Sequence, residues 1–229
     1  MSIGDILAKM KQSLGLAILV LAICGCSKDK AATPPPTKVN ESAIPQGWKV
    51  AKGGGVSMAL PSDWVAVDVS KPDVTQAVEH LGVTGAEGEQ LKQQIRMFAS
   101  TGVFRIVGFA PVKPGVFQTN VNVNVMPVPT ADINVILKEN LNQLKSAGTV
   151  IESGIVNNPT RAVLVAEMEQ PTTSGAPVKY IAQIHMFVRG QEQITLSFGS
   201  APEAQAETEK IIEQVVKTFA YDPPQPGTP

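Results

Sequence analysis

Between Asn120 and Met126 the sequence alternates without a break. Val121, Val123 and Val125 fall on one side of an extended chain, and Asn120, Asn122 and Asn124 fall on the other. A period of two is the mark of a β-strand with unlike faces. A chain carrying such a segment must place it in a sheet, with the valines against a core and the amides on the opposite side. The chain has 229 residues, enough to bury that core within one domain.

The flanking segments say what surrounds the strand. Short strands are predicted at Trp48–Val50, Val56–Leu60 and Trp64–Val69, parted by the Lys52–Gly55 turn and by Pro61-Ser62-Asp63. Helices are predicted over Pro72–Leu81 and Gly88–Ala99, and in the second Leu91, Ile95 and Phe98 share a face. A strand at Val103–Ala110 leads into the alternating segment. A helix then runs from about Asp132 to Ala147, with Ile133, Ile136, Leu137, Leu141 and Leu144 on its apolar face and Gly148 as its C-terminal stop. Strands follow at Thr149–Val156, Arg161–Glu169, Val178–Arg189 and Gln193–Phe198. Their short connections predict neighbours in a meander. In the last of them Ile194, Leu196 and Phe198 face one way, Thr195 and Ser197 the other. A closing helix, Glu203–Phe219, carries Ile211, Ile212, Val215, Val216 and Phe219 toward the sheet. This order of elements is α+β with a mainly antiparallel sheet.

Ahead of all this lies an apolar run of about ten residues, Leu14–Ile23, preceded by Lys9 and Lys11. A spanning helix needs about twenty such residues, so the run is too short to be one. It closes on Cys24-Gly25-Cys26, which resembles the lipobox of bacterial lipoproteins, whose cysteine is acylated and becomes the first residue. Cys26 is the expected lipidation site, because cleavage at Cys24 would put bulky Ile23 at the cut. The expected organisation is a signal peptide at 1–25, a flexible Pro-rich tether at 26–46, a folded domain at 47–221 and a disordered tail at 222–229. The resemblance implies attachment to the bacterial cell membrane or outer membrane, with the domain outside the cytoplasm. Cleavage there leaves one cysteine and no disulfide, so the fold must stand on packing alone.

Chemistry-bearing patterns are sparse. Formal net charge is −1 with no basic stripe, which argues against a nucleic-acid partner. The two histidines, His80 and His185, form no metal-ligand spacing, and no metal or cofactor is expected. Gly53-Gly54-Gly55 is followed by a strand and not by a helix, so it is no phosphate loop. Ser197-Phe198-Gly199-Ser200 lacks the spacing of a nucleophile elbow. Glu167 and Glu169 share a strand face, an arrangement far commoner on solvated strands than in hydrolases. No catalytic residue is expected, and a hydrolase is the least favoured reading. For recognition the candidates are Asn120, Asn122 and Asn124, three amides in line that suit a glycan or a peptide edge. A solvated or helix-covered sheet face would carry the same pattern.

Two stretches carry a family resemblance. Val56-Ser57-Met58-Ala59-Leu60-Pro61-Ser62-Asp63-Trp64 opens the domain. Val188-Arg189-Gly190, Ile194–Phe198 and a helix ending Val215-Val216-Lys217-Thr218-Phe219 close it. Together they resemble the PsbP-like superfamily, which takes in the DcrB and LpqN types of bacterial lipoprotein. The resemblance implies an α-β-α sandwich around a central antiparallel sheet and a non-catalytic role. On that reading the chain is a membrane-anchored lipoprotein whose domain binds a protein partner in the cell envelope. The alternative is a lipoprotein binding a small ligand, a lipid or a glycan.

Overall fold

A computed structural model describes residues 34–70, 85–111, 117–157, 160–170 and 177–223. The elements, in order, are β1 (Trp48–Gly53), β2 (Val56–Pro61), β3 (Val65–Asp68), α1 (Gly85–Thr101), β4 (Phe104–Phe109), β5 (Asn120–Pro127), α2 (Ile133–Ala147), β6 (Thr149–Val156), β7 (Arg161–Gln170), β8 (Val178–Arg189), β9 (Glu192–Ser200), α3 (Gln205–Thr218) and β10 (Ala220–Tyr221). The helix predicted over Pro72–Leu81, with His80, lies outside the described residues, as does Cys26.

Seven strands form one antiparallel sheet in the order β3-β4-β5-β9-β8-β7-β6. The predicted meander β6-β7-β8-β9 is present. The alternating strand β5 lies inside the sheet, hydrogen-bonded to β4 on one edge and β9 on the other. A second, three-stranded sheet, β1-β2-β10, was not expected. The Gly54-Gly55 pair, with φ of 53° and 82°, makes its β1–β2 turn.

The two faces of the large sheet bury different partners. On the first, Val121, Val123 and Val125 meet Ile194, Leu196 and Phe198, and α3 lays Ile212, Val215 and Val216 over them. Met58, Leu60 and Tyr221 of the small sheet complete that layer. On the second face, α1 packs Ile95 and Phe98 against Val67, Phe104 and Val107. Farther along, α2 packs Ile133, Ile136 and Leu144 against Leu164, Met168 and Met186. Helices thus cover both faces of the large sheet, as an α-β-α sandwich requires.

Two local expectations change. First, Gly148 is not in the left-handed conformation of a helix-stopping glycine: its φ is −164°, extended backbone open to any residue. Its lack of a side chain matters because the end of α2 presses on β7. A Cβ there would lie 2.5 Å from the Glu167 carbonyl oxygen and would also strike Met168 Sδ. At the other end of α2, Asp132 caps the helix by accepting from Asn134 N at 2.9 Å.

Second, the folded domain reaches back to Pro35, into the stretch read as a tether through residue 46. Pro35 is buried, and the Pro36 carbonyl accepts from Tyr221 N at 2.8 Å. The 3-10 turn Glu41–Ala43 packs on α3. The physical reason is that an extended proline segment has no internal hydrogen bonds to satisfy its carbonyls, and β10 offers it a free strand edge.

Candidate functional site

The second sheet face has its helices at two places, with α1 over β3–β4 and α2 over β6–β8. The middle of that face belongs to β5 and β9. Register sets their polar residues side by side: Asn120 opposite Gly199, Asn122 opposite Ser197, and Asn124 opposite Thr195. Gln193 continues the row on β9. This double row is the floor of a narrow slot of about 70 Å³, room for several waters. Val103 and Phe104 form one wall. Asn140 and Leu144 of α2 form another, and Met168 and Tyr180 close the β7–β8 side. Among the described residues no charged side chain lines it.

The hydrogen bonds give the slot a polarity. Asn120 Nδ2 donates to Gln118 O at 3.0 Å, Gln193 Nε2 to Thr195 Oγ1 at 3.0 Å, and Asn140 Nδ2 to Ile136 O at 2.8 Å. These three amides use their nitrogens inside the protein and keep oxygens in reserve. Asn124 Oδ1 is buried and, among the described residues, accepts from nothing. Asn122 is only 7% exposed, yet its side chain makes no hydrogen bond among the described residues. A buried polar group left unpaired costs about 1–3 kcal/mol, a penalty that falls on Asn124 Oδ1. One end of the slot is shaped by glycine. A Cβ at Gly199 would sit 3.1 Å from the Phe117 ring and 3.2 Å from Asn120 Nδ2. Phe117 in turn stacks on Tyr180 at 4.7 Å.

The three asparagines singled out by alternation are therefore brought together, and they are not a solvated face. Missed by sequence reasoning are Gln193, Asn140 and Tyr180, and the joining of Thr195 and Ser197 to the asparagine row. The alternation of β9 was visible. Its register with β5 was not.

The other candidates resolve as structural groups. His185 lies on the opposite sheet face, level with Leu196, and is 3% exposed. Its Nδ1 accepts from Arg161 Nε at 3.0 Å, and the Gln183 amide lies 3.1 Å from its Nε2. Burial, and then the charge of Arg161, push its pKa down to about 3. Glu167 pairs with Lys179 at 2.7 Å on the surface. Ser197 is in the slot, but His185 is on the other side of the sheet and no base is beside it. Among the described residues no group of three His, Cys, Asp or Glu is placed to hold a metal. No described helix is long and apolar enough to cross a membrane.

No protein-family model matches the chain, and no curated protein matches it by sequence. Solved structures do. PsbP of Synechocystis sp. PCC 6803 is similar at 12% identity over 86% of this chain and 98% of that one, with a TM-score of 0.39. The Ran-binding protein Mog1p of Saccharomyces cerevisiae is similar at 11% identity over 76% and 95%, with a TM-score of 0.44. LpqN of Mycobacterium tuberculosis, involved in cell envelope biogenesis, is similar at 7% identity over 73% and 83%, with a TM-score of 0.40.

Proposed function

We propose that the chain is a lipid-anchored, non-catalytic binding protein of the bacterial cell envelope, and that it holds an uncharged ligand in the slot floored by Asn120, Asn122 and Asn124. The observation that carries this reading is the state of the floor. A double row of amides and hydroxyls lies between apolar walls, with Asn122 unpaired and Asn124 Oδ1 without a donor. Apolar walls with a few convergent polar groups are the ordinary form of a ligand site. The slot offers hydrogen bonds but no acid, base or activated nucleophile.

The anchor gives this binding its place. Cys26 stands nine residues before Pro35, where the fold begins to hold the chain. Fully extended, that length spans at most about 32 Å. An acylated Cys26 would therefore keep the domain close to the bilayer.

A second reading, docking of an envelope protein, has an observation of its own. The sheet ends on β6, and that edge strand exposes Ile151 (57%) and Val156 (37%). Sheet edges of this kind accept an added strand.

The test is in-cell crosslinking of the full-length lipoprotein, with mass spectrometry of the proteins and glycans recovered. Recovery of one envelope component, lost when Asn120, Asn122 and Asn124 are all changed to Ser, is the expected result. Unchanged recovery from the triple variant rejects the slot, and loss only on Ile151→Lys moves the site to the β6 edge. In parallel, Cys26→Ser should abolish incorporation of labelled fatty acid. Continued labelling would remove the anchor.

A further inference from the structure

Resting on the reading of the slot as the binding site, we infer that its ligand is an N-acetylated sugar, held by its acetamido group. Charge comes first. With no ionised side chain on the lining, a charged ligand group would be desolvated without a counter-charge, so the group that enters is neutral. Hydrogen-bonding capacity comes next. Asn120 spends its nitrogen on Gln118 O and keeps its oxygen, and Asn122 makes no side-chain hydrogen bond among the described residues. A trans secondary amide turns its N–H and C=O in opposite directions, so it needs an acceptor on one side and a donor on the other. Residues i and i+2 on one strand face stand about 6.6 Å apart. That spacing lets Asn120 Oδ1 take the N–H while Asn122 Nδ2 serves the C=O. The walls supply the third requirement, since Phe104, Leu144 and Met168 offer an apolar surface for a methyl group.

A peptide bond has the same amide, but the sheet argues against a peptide. Extended peptides dock mainly by pairing their main chain with a free strand edge. The floor strands β5 and β9 have both edges paired, so the slot presents side chains only. Recognition of one projecting amide fits that surface, and a chain running through it does not.

The experiment is calorimetric titration of the full-length protein in detergent micelles with three probes. These are an N-acetylglucosamine tetramer, the same tetramer without its acetyl groups, and N-acetyl-dialanine methylamide. The expected result is binding of the first, with the second and third weaker by about tenfold or more, the equivalent of one or two lost hydrogen bonds. Asn122→Ala, and separately Asn122→Ser, should weaken the first by about the same factor. Equal affinity for the two tetramers, or tighter binding of the peptide, overturns the sugar assignment. If that binding still depends on Asn122, the slot stands as the site. Failure of all three probes overturns the assignment as well. The slot itself falls only if the triple Ser variant also keeps its crosslinked component.

Discussion

Arg161 donates its Nε–H to Nδ1 of His185 across strands β7 and β8, at 3.0 Å. A guanidinium has donors only, so Nδ1 must be the acceptor and the ring proton must sit on Nε2. Gln183 Nε2 lies 3.1 Å from that ring nitrogen, so the ring proton finds an acceptor there once the amide is turned to bring its oxygen inward. The imidazole is thus held neutral by its neighbours as well as by burial.

A pH dependence of stability follows. The folded pKa of His185, about 3, lies below the ordinary 6.5. Between those values the unfolded chain takes a proton that the fold refuses. The stabilisation is complete above pH 6.5 and is lost progressively as pH falls toward 3, by about 2 kcal/mol at pH 5. Urea midpoints measured from pH 7 to pH 5 should fall for the wild type and fall less for His185→Gln. Equal slopes would mean that His185 titrates normally in the fold.

Gly148→Ala should destabilise by about 2–3 kcal/mol, through overpacking and not through backbone strain. The comparison is Gly102→Ala, where φ is +68° and no atom lies within 4 Å of a built Cβ. There only the left-handed backbone matters, at about 1 kcal/mol. Denaturant midpoints of the two variants give the order directly. A larger loss at Gly102 would contradict the close contact of α2 with β7.

Thr218 joins α3 to the small sheet. β10 pairs with β2 only at Val56 and Ser57, so beyond that point Ala59 N turns to Thr218 Oγ1, at 3.1 Å. The same hydroxyl donates back into α3 toward Gln214 O, at 2.9 Å. Thr218→Val keeps the shape and removes the acceptor, leaving a buried N–H unpaired at a cost of about 1–3 kcal/mol. Faster amide exchange at Ala59 is the specific sign to look for.

Tyr221 closes the other end of that layer. Its hydroxyl donates to Glu192 Oε2 at 3.0 Å, and the Arg189 guanidinium stands 5.9 Å over its ring while donating to its carbonyl. Burial first, then the Glu192 carboxylate, push the phenol up to about 12. The fold keeps a proton that the unfolded chain gives up near pH 10, so this contribution is lost as pH rises from 10 to 12. Tyrosinate absorbance should show a late step near pH 12 that Tyr221→Phe removes. The same variant should lose about 1 kcal/mol at neutral pH.

The strands, the two helices at Asp132–Ala147 and Glu203–Phe219, and the β6–β9 meander were legible in the sequence. So were the asparagines as a row with one orientation. Each of these rests on near neighbours: a period of two, an apolar stripe, a cap, a short turn. What no such signal contains is which distant strand lies beside β5. The choice of β9 sets Ser197 next to Asn122 and Thr195 next to Asn124, and turns a striped strand into a slot floor. Pro35 and Pro36 read as tether because their composition buries little, yet Pro35 is buried and the free edge of β10 recruits Pro36.

The sequence by itself determined the faces of the strands and helices and the uncharged chemistry of the asparagine row, because side-chain direction follows the local backbone repeat. Only the tertiary structure decided that this row is enclosed, that Thr195 and Ser197 stand beside it, and that Asn124 Oδ1 lacks a partner among the described residues. Those facts depend on pairings between segments far apart in the chain, where the burial of the opposite face, Val121 to Val125 against Ile194 to Phe198, selects the register.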